Sequence, residues 1–122
     1  MGFLDQIFGK KESEDQAPNL WHNITSDKDL DDAVAESYHR KVLIFKHSTR
    51  CFISKTVLKN FEKEIRDSHQ DYAYYLLDLL AHRAISDTIA SRFDVVHQSP
   101  QLIVLENGKV VHSASHQGIS LD

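Results

Sequence analysis

The sequence predicts an α/β fold: a mixed sheet flanked by helices and closed by a β-hairpin. Three observations predict it. From about residue 20 onward, apolar residues alternate between strand-like runs and helical spacing. Lys41 to His47 (K-V-L-I-F-K-H) contains a continuous apolar run bounded by polar residues, as expected of a strand covered on both faces. Asn107-Gly108 stands between two apolar runs and signals an antiparallel hairpin, because both residues tolerate the positive φ of a type I′ turn. A chain of 122 residues, 41% hydrophobic and 26% charged, has the size and composition of one small globular domain with a single core.

Phe3, Leu4, Ile7 and Phe8 fall on one helical face before Gly9, a segment too short to be a stable helix alone. Lys10 to Asn19 is charged, poor in apolar residues and contains Pro18, which reads as a solvated linker. Residues 1–19 are therefore an amphipathic segment plus linker, and the folded domain is expected over 20–122. Leu20 to Thr25 reads as a short edge strand. Ser26 or Asp27 then caps a helix with apolar positions Leu30, Ala33, Val34 and Tyr38. Lys41 to His47 is the central strand. Ile53, Val57, Leu58, Phe61 and Ile65 mark a second helix that begins at or beside Cys51. Ala73 to Leu79 is a buried strand, and Ala84, Ile85, Ile89 and Phe93 mark a third helix. Gln101 to Leu105 and Lys109 to Ala114 form the closing hairpin. This β-α-β-α-β-α-β-β order, with right-handed crossovers joining the first strands, is a sandwich of the thioredoxin type. Such domains usually finish with a helix, which Gly118 to Leu121 could only begin, so an apolar sheet face is expected to be covered by the Phe3, Leu4, Ile7 and Phe8 segment, within one chain or from a neighbour.

Charge and cysteine usage narrow the function. A net charge of −4 without a basic run is repelled by nucleic-acid phosphates and anionic lipid, so neither nucleic acid nor membrane is an expected partner. The apolar runs are also too short to span a bilayer. Cys51 is the only cysteine, which excludes an intramolecular disulfide and a cysteine-built structural zinc site. A reducing, cytoplasmic setting follows, in keeping with an N-terminus that lacks a secretory pattern. The eight histidines show no helical H-x-x-x-H pair, since His112 and His116 straddle the end of a predicted strand, and no metal site is expected.

The sole thiol stands where the central strand ends and the next helix begins. In an open α/β sheet ligands collect at that edge, and the free N–H groups and dipole of a helix N-terminus favour a thiolate. Arg50 and His47 would add positive charge there. Ser54 completes a C-x-x-S sequence; its hydroxyl, one turn along, can hydrogen-bond the thiolate but cannot close a disulfide. The competing reading is a buried, inert cysteine. Ser99-Pro100 immediately precedes a strand, a position that tolerates proline.

The string F-K-H-S-T-R-C-x-I-S, with L-L-D-L ahead of a helix and then H-Q-S-P-Q-L-I-V-L-E-N-G-K-V-V-H-S-A-S-H, resembles the YtxJ-like bacilliredoxins. These are monothiol, thioredoxin-fold proteins of the bacillithiol system. The resemblance covers about residues 20 to 119. It implies removal of bacillithiol from mixed disulfides on client proteins, with Cys51 as nucleophile and Ser54 beside it. Thr49, Arg50, Phe52, Ser99 and Pro100 would form the substrate-binding wall, and the Ser99-Pro100 bond would be cis, as in thioredoxin-type folds. No cofactor is implied, bacillithiol being a substrate; the partners would be bacillithiol-modified clients and an external small thiol or dithiol reductant. Phe52 departs from the pattern, since many related motifs carry proline or glycine after the cysteine. Two other readings stay open: a redox-inactive thioredoxin-like module that docks a peptide, and a peroxidatic cysteine protein. For the latter Ser48-x-x-Cys51 is a weak cue, because Ile44 stands where a proline is expected.

Overall fold

The computed structural model describes residues 20–121. The expected Phe3 to Phe8 segment and the linker lie outside them. The elements run β1 (His22–Asn23), α1 (Asp27–Glu36), β2 (Val42–His47), α2 (Phe52–Ser68), β3 (Ala73–Asp78), α3 (Arg83–Phe93), β4 (Gln101–Glu106) and β5 (Lys109–Ser115), followed by a single 3-10 turn at His116–Gly118. They build one five-stranded sheet of order β1-β3-β2-β4-β5. β1 and β2 each run parallel to β3, whereas β4 runs antiparallel to both β2 and β5. The sheet is mixed and the fold is thioredoxin-like, as the sequence predicts.

β2 is the middle strand and all six of its residues are buried. Alternation sends Val42 and Ile44 to one face, where they pack with Leu30 and Ala33 of α1 and Ile85 and Ile89 of α3. Leu43 and Phe45 point to the other, against Val57, Phe61 and Ile65 of α2 and against Ile119 beyond the 3-10 turn. The two cores are therefore separated by the sheet, with α2 alone facing α1 and α3 across it.

Local signals explain most boundaries. Ser26 caps α1 through its side chain, which accepts from the Asp29 amide. α2 and α3 stop at His69 and Asp94, both in the left-handed conformation that ends helices. Asn107 and Gly108 have φ of 54° and 78°, the pair of positive values a type I′ hairpin requires. That turn is docked on the end of α1, where Ser37 accepts from the Asn107 amide through its carbonyl and from the Gly108 amide through its hydroxyl.

Two expectations are corrected. Tyr38 lies beyond α1 and is 61% exposed; its ring covers the Gly108 turn instead of joining the core. Ile53 is 47% exposed, because the buried stripe of α2 is Ser54, Val57, Phe61 and Ile65. After β5 the chain makes one 3-10 turn and buries Ile119 against the α2 side of the sheet, and the Leu121 amide donates to Glu64. The expected cover from the Phe3 to Phe8 segment lies outside the described residues.

Candidate active site

The C-terminal ends of β2 and β3 and the N-terminal end of β4 meet at one edge of the sheet, and Cys51 stands on it. From β2 the chain makes a turn, Ser48-Thr49-Arg50-Cys51, closed by the Cys51 amide donating to the Ser48 carbonyl at 3.1 Å. The Cys51 carbonyl then accepts from the Lys55 amide, the first bond of α2, which makes Cys51 the N-cap residue. Its thiol is free and half-buried. No side chain caps this helix and no acidic residue sits in its first turn. The positive end of a 17-residue helix is thus left uncompensated beside the sulfur, an environment that favours an anion. Thr49, Arg50 and Phe52 are exposed around it, Phe52 to 79%.

Ser99-Pro100 forms the neighbouring wall. The peptide bond is cis, Pro100 is buried, and its carbonyl accepts from the His116 amide at 3.1 Å. The register pairs Lys46 with Gln101, so Pro100 falls beside the end of β2 where the Cys51 turn departs. Topology therefore brings Cys51, Thr49, Arg50, Phe52, Ser99 and Pro100 to one edge.

Ser54 behaves differently from its sequence reading. It is fully buried, its oxygen lies 2.7 Å from His47 Nδ1, and it accepts from the Ser48 amide at 3.1 Å. Those contacts engage the hydroxyl within the fold, where it anchors the turn leading to Cys51. His47 is corrected as well. Burial pushes its pKa down, outweighing attraction from Asp78 and Glu62, so the ring is neutral near pH 7 and adds no positive charge. With the Ser48 amide donating to Ser54, the Ser54 O–H is free to donate to His47 Nδ1.

Lys46 and Gln101 are buried polar residues that sequence reasoning took only as strand ends. Lys46 Nζ donates to the Ser86 carbonyl at 3.1 Å and lies 3.4 Å from His97 Nδ1. Gln101 Nε2 donates to the Val96 carbonyl, and its Oε1 accepts from the Gln98 amide. The available signal was small: Ser54 and Ser86 interrupt otherwise apolar helix stripes, which is what a polar partner underneath would require.

At the level of fold, the chain resembles thioredoxins of Malassezia sympodialis (19% identity, TM-score 0.63, covering 77% of this chain and 76% of that one) and Trypanosoma brucei brucei (17%, 0.65, 79% and 78%). It is 28% identical to a solved protein described by its thioredoxin fold, with a TM-score of 0.75 over 85% of this chain and 89% of that one. Residues 22–122 match the family described as monothiol bacilliredoxin BrxC, a span that includes the lone thiol, the buried serine after it and the cis-proline wall. The chain belongs to that monothiol bacilliredoxin family, whose chemistry is thiol redox on a thioredoxin fold.

Proposed function

We propose that this protein removes bacillithiol from mixed disulfides on client proteins. The Cys51 thiolate attacks the bacillithiol sulfur in line with the disulfide; a new sulfur–sulfur bond forms as the old one breaks, and the client leaves as a thiolate that takes a proton from water. No net oxidation occurs in this exchange. Cys51 retains the small thiol until an external thiol or dithiol protein displaces it, because the chain holds no second cysteine. The observation that carries the reading is the placement of the only thiol at an uncapped helix N-terminus beside Ser99-Pro100, with a buried Ser54 where a resolving cysteine would stand.

Substrate recognition follows from the same edge. The exposed Arg50 guanidinium suits the malate carboxylates of bacillithiol, and Thr49 offers a hydroxyl beside it. Phe52, Leu80 and Val96 are exposed apolar side chains that the strand directions bring to this edge, a surface suited to a protein client. Intact-mass measurement after mixing with a bacillithiol-modified model protein tests the reading. The expected result is one bacillithiol adduct on the wild type and none on Cys51→Ser, with little reduction of insulin disulfides. A wild type that stays unmodified while the client keeps its bacillithiol would overturn it in favour of a redox-inactive docking module.

A further inference from the structure

Lys46 and Gln101 are register partners across β2 and β4, so their side chains leave the sheet on the same face. That face carries α3, on the opposite side of the sheet from α2. Both residues are buried, Lys46 to the point of no exposure at all. Both reach the same piece of chain, residues 95 to 99, which has no regular secondary structure and leads into Pro100. Lys46 contacts His97, while Gln101 holds Val96 and Gln98 by their backbone. Ser86, itself fully buried, lies under the ammonium and supplies its carbonyl as acceptor; its hydroxyl is 3.4 Å from the same His97 nitrogen.

A buried lysine is a costly way to fill a core position. Among the described residues Lys46 forms no ion pair; Asp87 attracts it from a distance, and burial brings its pKa down to about 8. An apolar side chain of similar length would bury more favourably. What an apolar side chain could not do is hold His97.

We propose that Lys46 and Gln101 are positioning residues that, from the far face of the sheet, fix the 96–99 segment and with it the Ser99-Pro100 wall opposite Cys51. They touch neither the thiol nor the substrate. This inference rests on the bacillithiol-transfer reading for its consequence in catalysis, though not for the ordering of the segment. A mixed disulfide must lie in line with the attacking sulfur, so a wall that wanders slows transfer while leaving the nucleophile itself unchanged.

The test uses the full chain with Lys46→Met, close in length and apolar, and His97→Phe, which removes the acceptor at an exposed site. In Lys46→Met, 15N order parameters at residues 96 to 99 are expected to fall below about 0.6 while those of α2 stay near about 0.85. The rate of bacillithiol transfer is expected to fall at least about tenfold, whereas alkylation of Cys51 by iodoacetamide stays within about twofold. His97→Phe is expected to move both readouts in the same direction. A merely structural role would lower the melting temperature and leave the ratio of transfer to alkylation unchanged. Unchanged order parameters at 96 to 99 in both variants overturn the inference whatever the transfer assay gives. Absence of transfer in the wild type would instead remove the proposed function, with the order parameters still deciding the positioning role.

Discussion

The Ser54 oxygen and His47 Nδ1 lie 2.7 Å apart inside the protein, joining the first turn of α2 to the last residue of β2. Because Ser54 also accepts from the Ser48 amide, both ends of the turn that carries Cys51 are fastened to one hydroxyl. Ser54→Ala would leave a buried imidazole nitrogen and a backbone N–H without partners. The expected cost is about 1–3 kcal/mol of stability, read as a lower urea midpoint at unchanged m-value. A variant as stable as the wild type would show that water replaces the hydroxyl and that the anchor is dispensable.

The same burial makes stability depend on pH in two windows. His47 and His97 are both held below the ordinary 6.5, by burial first. Near pH 6.5 and below, the unfolded chain binds protons that the folded chain refuses, so stability should fall as the pH drops from 7 toward 5. Lys46 gives the second window. Its folded value of about 8 lies under the unfolded 10.5, so the unfolded chain again holds the extra proton and stability should rise from pH 8 to about 9.5. Above 10 the buried Tyr74 and Tyr75 hydroxyls, both pushed up, reverse the trend. Urea midpoints across pH check this: His47→Asn should flatten the acid limb and Lys46→Met the alkaline one. A Lys46→Met variant with the wild-type slope between pH 8 and 9.5 would contradict the assignment.

Gly108 is the glycine on which the closing hairpin depends. Its φ is +78°, and a Cβ there would run into the Tyr38 hydroxyl and ring. Gly108→Ala should therefore destabilise by more than about 1 kcal/mol, from backbone strain and the clash together. Tyr38→Ala in the same chain should recover only the part due to the clash. Full recovery in the double variant would mean that the backbone tolerates alanine.

The central strand, the hairpin and the thiol at a helix start were legible in the sequence because each rests on local chemistry. An apolar run, Asn107-Gly108 and a strand-to-helix transition around Cys51 need no knowledge of distant residues. The polar framework behind the site was not legible. Lys46 and His47 look like the polar end of a strand, and whether such residues meet water depends on the helices that cover them. α3 places Ser86 beside Lys46 and α2 places Ser54 beside His47, contacts set by 40 and 7 residues of separation. Helical spacing likewise could not decide between Ile53 and Ser54 for the buried stripe. Hydrophobicity favours Ile53, but the buried acceptor and donor waiting at the end of β2 favour a hydroxyl.

Phe52 follows the thiol directly at this edge, and its position permits a clean test. It is the first residue of α2, where a proline's missing N–H costs nothing and its fixed φ suits the helix. Cys51 before it has φ of −100° and ψ of 121°, the extended conformation that a following proline demands. Phe52→Pro should therefore keep or raise stability, by up to about 1 kcal/mol through a less flexible unfolded chain. What it removes is an aromatic ring that is 79% exposed beside the thiol. If that ring seats protein clients, transfer from a bacillithiol-modified protein should slow several-fold, while transfer from a small mixed disulfide of bacillithiol should be unchanged. Competing the two substrates in one vessel, with adducts on Cys51 and losses from each donor followed by mass, reads both rates under identical conditions. Equal slowing of both would place the effect in the Cys51 turn itself and withdraw Phe52 from client recognition; no slowing of either would leave the ring without a part in the reaction.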